Sequence, residues 1–142
     1  MDSIHKELGH ILWEYVGMGR TKAGLEKALE ELKRLRKVFE SDLFVPGTED
    51  GMNVELDKAW RLRDFITMGE LIAYDAINRN ESCGGHFREE YQTEEGEAKR
   101  DDANYFYVSC WKYEGDDSNA PTLIKEPLEY EAIKVQTRNY KS

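Results

Sequence analysis

The chain has 142 residues with 29 acidic and 20 basic side chains, for a formal net charge of -9. A single domain of this size buries roughly 70% of the surface that its unfolded form exposes, so no disulfide or metal is needed to fold it. The acidic excess disfavours nucleic-acid backbones and anionic lipid headgroups, and no window approaches the ~20 apolar residues of a membrane span. Direct nucleic-acid binding and membrane insertion are therefore not expected.

Ile4, Leu8, Ile11, Leu12, Tyr15 and Val16 recur at separations of three and four, which predicts a first helix with one apolar face. Asp2 and Ser3 are candidate N-cap acceptors. Gly17 and Gly19 interrupt the pattern, and Thr21 is placed to cap a second helix carrying Leu25, Ala28, Leu32, Leu35 and Phe39, widened by Leu29 and Val38. Its other face holds Lys27, Glu31, Lys33, Arg36 and Lys37 with Glu30 and Arg34 as an i,i+4 pair, and reads as solvated. Ser41 to Asn53 contains Pro46-Gly47 and Asp50-Gly51 and is expected to be a loop.

A longer helix is predicted from Val54 to about Asn78, apolar on two sides. Leu62, Phe65, Ile66, Ile72, Ala73 and Ile77 form one face, with Trp60, Met68 and Leu71 near another. Such a helix needs two neighbours, of which the first two helices supply one. Gly69 in mid-helix costs about 1 kcal/mol against Ala, so close approach by a neighbour is its expected reason. Beyond Arg79, Gly84-Gly85 ends the helical pattern, and Tyr91 to Asp102 is polar enough to predict a mobile excursion. The alternation of Tyr105, Tyr107, Trp111 and Tyr113 with Phe106, Val108 and Cys110 predicts a strand over 104–113. Gly115 to Pro121 is turn-rich and leads to Thr122, Leu123 and Ile124 as a hairpin partner, with Pro127 confining it to an edge. Tyr130 to Tyr140 forms an irregular tail. The fold class is mainly α, a spectrin-repeat-like three-helix up-down-up bundle over 1–80. The closing turn, polar loop, β-hairpin and tail of 81–142 pack on it as part of one structural domain.

Chemistry is hard to assemble from these residues. Gly17-Met18-Gly19-Arg20-Thr21-Lys22 lacks the order and the preceding strand of a phosphate loop or a dinucleotide fingerprint. Cys83 and His86 form a C-x-x-H pair, but Cys110, His5 and His10 lack the spacing to complete four zinc ligands. His5 and His10 lie about 140° apart around their helix and do not share a face. Cys83 has no triad context for a nucleophile. Glu89, Glu90, Glu94, Glu95 and Glu97 form a charge run with no apolar wall to raise a pKa. No catalytic, cofactor-binding or metal residue is assigned. Cys83 and Cys110 with no hydrophobic leader before them suggest a reducing, cytoplasmic compartment.

The run Arg79-Asn80-Glu81-Ser82-Cys83-Gly84-Gly85-His86-Phe87-Arg88-Glu89-Glu90-Tyr91, then Arg100-Asp101-Asp102, resembles a family signature. The signature reads R-x-E-S-R-G-A-H-x-R-x-D-Y followed by R-D-D, and it closes the third helix of the C-terminal domain in succinate dehydrogenase and fumarate reductase flavoprotein subunits. Leu8, Ile11, Leu12, Trp13, Val16, Gly17 and Arg20, then Gly24, Leu25, Ala28, Leu29 and Leu32, are similar in order. The resemblance implies a fragment of a flavoenzyme that interconverts succinate and fumarate and passes electrons from FAD through an iron-sulfur subunit to quinone. It places FAD and the dicarboxylate-binding residues upstream, with none in this fragment, which is expected to be inactive alone. The implied partners are the flavin-binding domain, the iron-sulfur subunit and a membrane anchor that holds the parent at the cytoplasmic face of the inner membrane. L-aspartate oxidase and the adenylylsulfate reductase alpha subunit share the domain. Two departures stand out, Cys83 where arginine is usual and Glu90 where aspartate is usual, and an arginine would make a forked contact that a thiol cannot. The segment Gln92 to Lys99 looks like a flexible insertion. Ser82, Gly84, Gly85, His86 and Arg88 are candidates for docking on the flavin domain, with Tyr105, Tyr107 and Trp111 as aromatic surface; bundle closure and hairpin packing are the alternative roles. A stand-alone helical interaction module using the second face of the long helix is the competing reading.

Overall fold

A computed structural model describes residues 1–47, 51–115 and 120–136. Three helices, α1 (Asp2–Val16), α2 (Lys22–Asp42) and α3 (Val54–Asn78), form the body. A short helix α4 (Asp102–Tyr105) then leads into an antiparallel pair, β1 (Tyr107–Lys112) and β2 (Thr122–Pro127). The expected three-helix bundle with a β-hairpin is the fold observed.

The core is where the period-3.6 pattern puts it. Ile4, Leu8, Ile11 and Val16 of α1 meet Leu25, Ala28, Leu32 and Leu35 of α2 and Leu62, Ile66, Ala73 and Ala76 of α3. Gly69 is buried against Leu12, whose Cδ2 would lie 3.1 Å from a Cβ added there, so the glycine is the close approach anticipated from its position. Thr21 caps α2 through its Oγ1, which accepts from the Gly24 amide at 3.0 Å. Asn53 caps α3, its Oδ1 accepting from Glu55 and Leu56 amides. The acceptors expected for α1 do not cap it: Asp2 and Ser3 already lie inside the helix, which starts two residues before the apolar pattern.

Other local expectations are corrected. Arg34 bonds Glu31 and, across helices, Glu7, instead of Glu30, which pairs with Lys27. Arg36 is not solvated; its guanidinium faces α3 and bonds the Glu70 carboxylate and the Thr67 hydroxyl. Phe65 and Ile72 are about half exposed, at 48% and 45%, because they lie just beyond the edge of the buried stripe of α3, which runs through Ala59, Leu62, Ile66, Gly69, Ala73 and Ala76. The predicted strand over 104–113 begins later, since Asp102–Tyr105 coils into α4. The segment Gln92 to Lys99, expected to be a flexible insertion, is closed on itself as a hydrogen-bonded hairpin. Thr93 and Lys99 amides bond the Glu97 and Tyr91 carbonyls, Gly96 at φ +82° makes the turn, and the Thr93 hydroxyl accepts from the Glu97 amide.

The β1–β2 register pairs Tyr107 with Pro127 and Lys112 with Thr122, so Pro127 ends an edge strand as expected. Asp50 of the Asp50-Gly51 turn, the middle of the 115–121 turn and Tyr140 lie outside the described residues.

Candidate functional site

The side chains of the closing signature converge on the end of α3 and the turn between α1 and α2. A helix leaves its last carbonyls without intrahelical donors, and neither α1 nor α3 carries a basic residue in its final turn. Arginines from elsewhere fill this gap. Arg20 donates Nε to the Val16 and Gly17 carbonyls at 3.1 Å each, closing α1. Arg88, 1% exposed, donates Nη1 to the Ala76 carbonyl at 2.9 Å and to that of Ile77 at 3.4 Å. Both cations sit at helix C-termini, where the macrodipole favours positive charge.

Ser82 locks Arg88 in place. Its fully buried hydroxyl accepts from the Arg88 amide at 2.8 Å and donates to the Arg88 carbonyl at 3.1 Å. Arg88 lies beside the ring of Tyr91, and its Nε donates to Glu90 at 3.0 Å. The other Glu90 oxygen accepts from the Lys22 amide at 2.5 Å, at the positive start of α2. Burial alone would push the Glu90 carboxyl up, but the Lys22 amide and the Arg88 guanidinium together hold it below its ordinary value. Glu90 thus joins two helix ends.

His86 bridges the same two regions. Its Nε2 lies 2.9 Å from the Arg79 carbonyl and its Nδ1 3.0 Å from Arg20 Nη1. A carbonyl only accepts and a guanidinium only donates, so Nε2 carries the proton and Nδ1 is the acceptor of a neutral ring. Burial, reinforced by the charges of Arg20 and Arg88 and only partly offset by the bond to the Arg79 carbonyl and by Asp75, pushes the imidazole pKa down from 6.5. Burial likewise lowers Arg20, which Asp75 partly offsets. Backbone bonds run alongside: the Arg20 amide donates to the Phe87 carbonyl at 3.0 Å and the Glu89 amide to the Arg20 carbonyl at 2.8 Å. Cys83 and His86 exchange backbone bonds across Gly84-Gly85, with Gly84 at φ +59°, a turn conformation that glycine adopts readily. The Cys83 thiol is free and exposed.

Arg79 fastens the hairpin. Its guanidinium donates to the Tyr105 and Tyr107 carbonyls at 3.1 and 3.0 Å, and to Glu81, itself buried and accepting from the Asp101 amide. It also lies against both tyrosine rings. Trp111 donates Nε1 to Asp75 at 2.8 Å and meets the Tyr74 ring edge-on. The candidate residues are therefore brought together as two adjoining clusters. Ser82, His86 and Arg88 are consumed by internal bonds at the bundle end, Tyr105, Tyr107 and Trp111 are half-buried at the hairpin, and Gly84 and Gly85 form an exposed tip. Arg20, Arg79, Glu81 and Asp75 complete the network; the first three belong to the residues that carry the family resemblance but not to the docking candidates, and Asp75 belongs to neither. The last turns of α1 and α3 lack a cation, but so does that of α2, so this signal alone does not single out the two helix ends that the arginines close.

A family model described as the fumarate reductase flavoprotein C-terminal region matches residues 5–140. The chain belongs to that family. The flavoprotein C-terminal domain described here is 33% identical over 97 residues to a CoM/CoB fumarate reductase protein of Methanothermobacter marburgensis, covering 68% of this chain and 17% of that protein. It is 34% identical over 89 residues to L-aspartate oxidase 2-b of Nicotiana tabacum, covering 62% of this chain and 13% of the relative. A chain of E. coli quinol fumarate reductase superposes with a TM-score of 0.79 at 23% identity, covering 96% of this chain and 22% of the other, which establishes a shared fold. The chain thus spans about a fifth or less of the length of these relatives.

The described residues do not fit FAD. Gly17 and Gly19 join helices and back onto the Trp13 carbonyl and the Glu89 carboxylate, while Gly84 and Gly85 are used up in a tight turn. An open cleft of about 460 Å³ between the end of α3 and the hairpin is lined by Asn78, Tyr91, Asp101, Tyr105, Tyr107 and Lys125 among others, without a glycine-rich phosphate cradle. Among the described residues no helix is long and apolar enough to cross a membrane.

Proposed function

We propose that this chain is the helical C-terminal domain of a flavoprotein subunit that interconverts succinate and fumarate, and that it docks on the flavin-binding part of the same subunit. The observation that carries the reading is a family match over residues 5–140 in a chain that accounts for only 13% to 22% of its relatives. In this reading the parent is an FAD-dependent oxidoreductase associated with an iron-sulfur subunit and a membrane anchor, and this domain contributes no catalytic group. The names of the Methanothermobacter relative and of the Wolinella succinogenes 8-methylmenaquinol:fumarate reductase flavoprotein subunit support fumarate chemistry.

Exposed apolar side chains along one side of α3 supply a surface suited to docking. Val54, Phe65, Met68 and Ile72 recur at helical spacing and are each 45% to 58% exposed, with His5 stacked on Phe65. Exposed large apolar side chains, clustered as Phe65, Met68 and Ile72 are, suit an interaction face. The Gly84-Gly85 tip and the half-buried tyrosines offer a second contact. Mixing the purified chain with the matching flavin-binding region is the test: binding that raises the thermal midpoint of the flavoprotein is expected, and Phe65→Glu is expected to abolish it. No association would favour a separate interaction module. Reduction of an artificial acceptor by succinate and FAD with this chain alone would refute the scaffold role.

A further inference from the structure

We infer that His86 is a proton-sensitive latch that holds the α1–α2 corner against the segment closing the bundle. The inference is independent of the parent's substrate. The latch rests on the direction of two hydrogen bonds: Arg20 Nη1 donates to Nδ1, and Nε2 donates to the Arg79 carbonyl. Protonation at Nδ1 converts the acceptor into a donor facing another donor, so the Arg20 bond is lost while the Arg79 bond persists.

The surroundings make the added charge unwelcome. Arg20 approaches from the α1–α2 turn and Arg88 from the same closing segment, both opposing protonation, and Asp75 from α3 is the carboxylate that favours it. Asp75 is already bonded to Trp111. Arg79 faces the ring through its carbonyl, with its own charge turned toward Glu81, and Cys83 meets His86 through the backbone. Because the folded-state pKa lies below the unfolded one, the latch contributes its full stability above the ordinary histidine value of 6.5 and loses it as pH falls from there through the depressed value. The backbone pair between Arg20 and residues 87 and 89 would open with it.

The whole chain can be followed by NMR from about pH 7.5 to about pH 5. The His86 ring should titrate below 6.5 from the neutral Nε2–H form, and the Arg20 and Glu89 amides should lose hydrogen-exchange protection as it does so, while core amides such as that of Leu32 stay protected. In His86→Gln, which cannot titrate, the pH dependence of those two amides should vanish. A ring titrating at or above 6.5, or amide protection that does not follow the ring, overturns the latch. The same opening in His86→Gln overturns it too. If that variant does not fold, the wild-type titration decides alone.

Discussion

Replacing Arg88 with methionine isolates the helix-closing arginine, because the side chain is almost fully buried and methionine matches much of its apolar stem. The variant strips the Ala76 carbonyl of its donor; an unsatisfied buried acceptor costs about 1–3 kcal/mol. It also removes a cation from the C-terminus of α3, worth about 0.3–1 kcal/mol and more when partly buried. The bond to Glu90 adds about 0.5 kcal/mol at most, since that carboxylate is 40% exposed and water can replace the guanidinium. Relief of the cost of burying a guanidinium works the other way. The net expectation is about 1–4 kcal/mol of destabilisation, a large share of a small domain's stability. Urea unfolding followed by circular dichroism should show a lower midpoint with an unchanged slope. Arg88→Lys should recover about half, because one ammonium cannot serve the carbonyl and Glu90 in the same fork. A loss below about 0.5 kcal/mol for Arg88→Met, the range of ordinary surface substitutions, would refute the cap.

Gly69→Ala should change stability by less than about 1 kcal/mol, since the gain in helix propensity is opposed by crowding of Leu12, whereas Gly69→Leu should destabilise by about 1–3 kcal/mol in the same unfolding assay. Trp111→Phe loses the bond to Asp75, about 1 kcal/mol, and should speed hydrogen exchange in Tyr107–Lys112 more than in the bundle core. Glu90 has a depressed carboxyl pKa, so its contribution is present above the ordinary value of 4.5 and lost as pH falls through the folded value. Glu90→Gln should accordingly flatten that part of the acid limb of the stability profile.

Helices and core were legible because burial enforces a period that the sequence repeats: Leu25, Ala28, Leu32 and Leu35 are all buried where the spacing puts them. Phe65 and Ile72 were misplaced because hydrophobicity alone does not reveal which side of a broad apolar face contacts its neighbour. The closing motif could be located from its resemblance, but its internal roles could not, since the Arg20–His86 and Arg79–Tyr107 contacts join residues 66 and 28 positions apart. Spacing rules carry no information on such pairs. The Gln92–Lys99 hairpin was missed because Thr93 and Gly96 form a short local turn within a stretch whose charge suggests only solvation. Glu90 shows why a departure from the family signature can be accommodated, as its carboxylate reaches both Arg88 and the start of α2.

Hydroxyl-radical footprinting of the chain, free and mixed with the flavin-binding region of its own subunit, tests the docking role most directly. Phe65 and Met68 are exposed on α3, and both react readily with the radical. Strong protection of these two side chains on mixing is the predicted result; equal oxidation with and without the flavin-binding region, at concentrations where both proteins are folded, would contradict it.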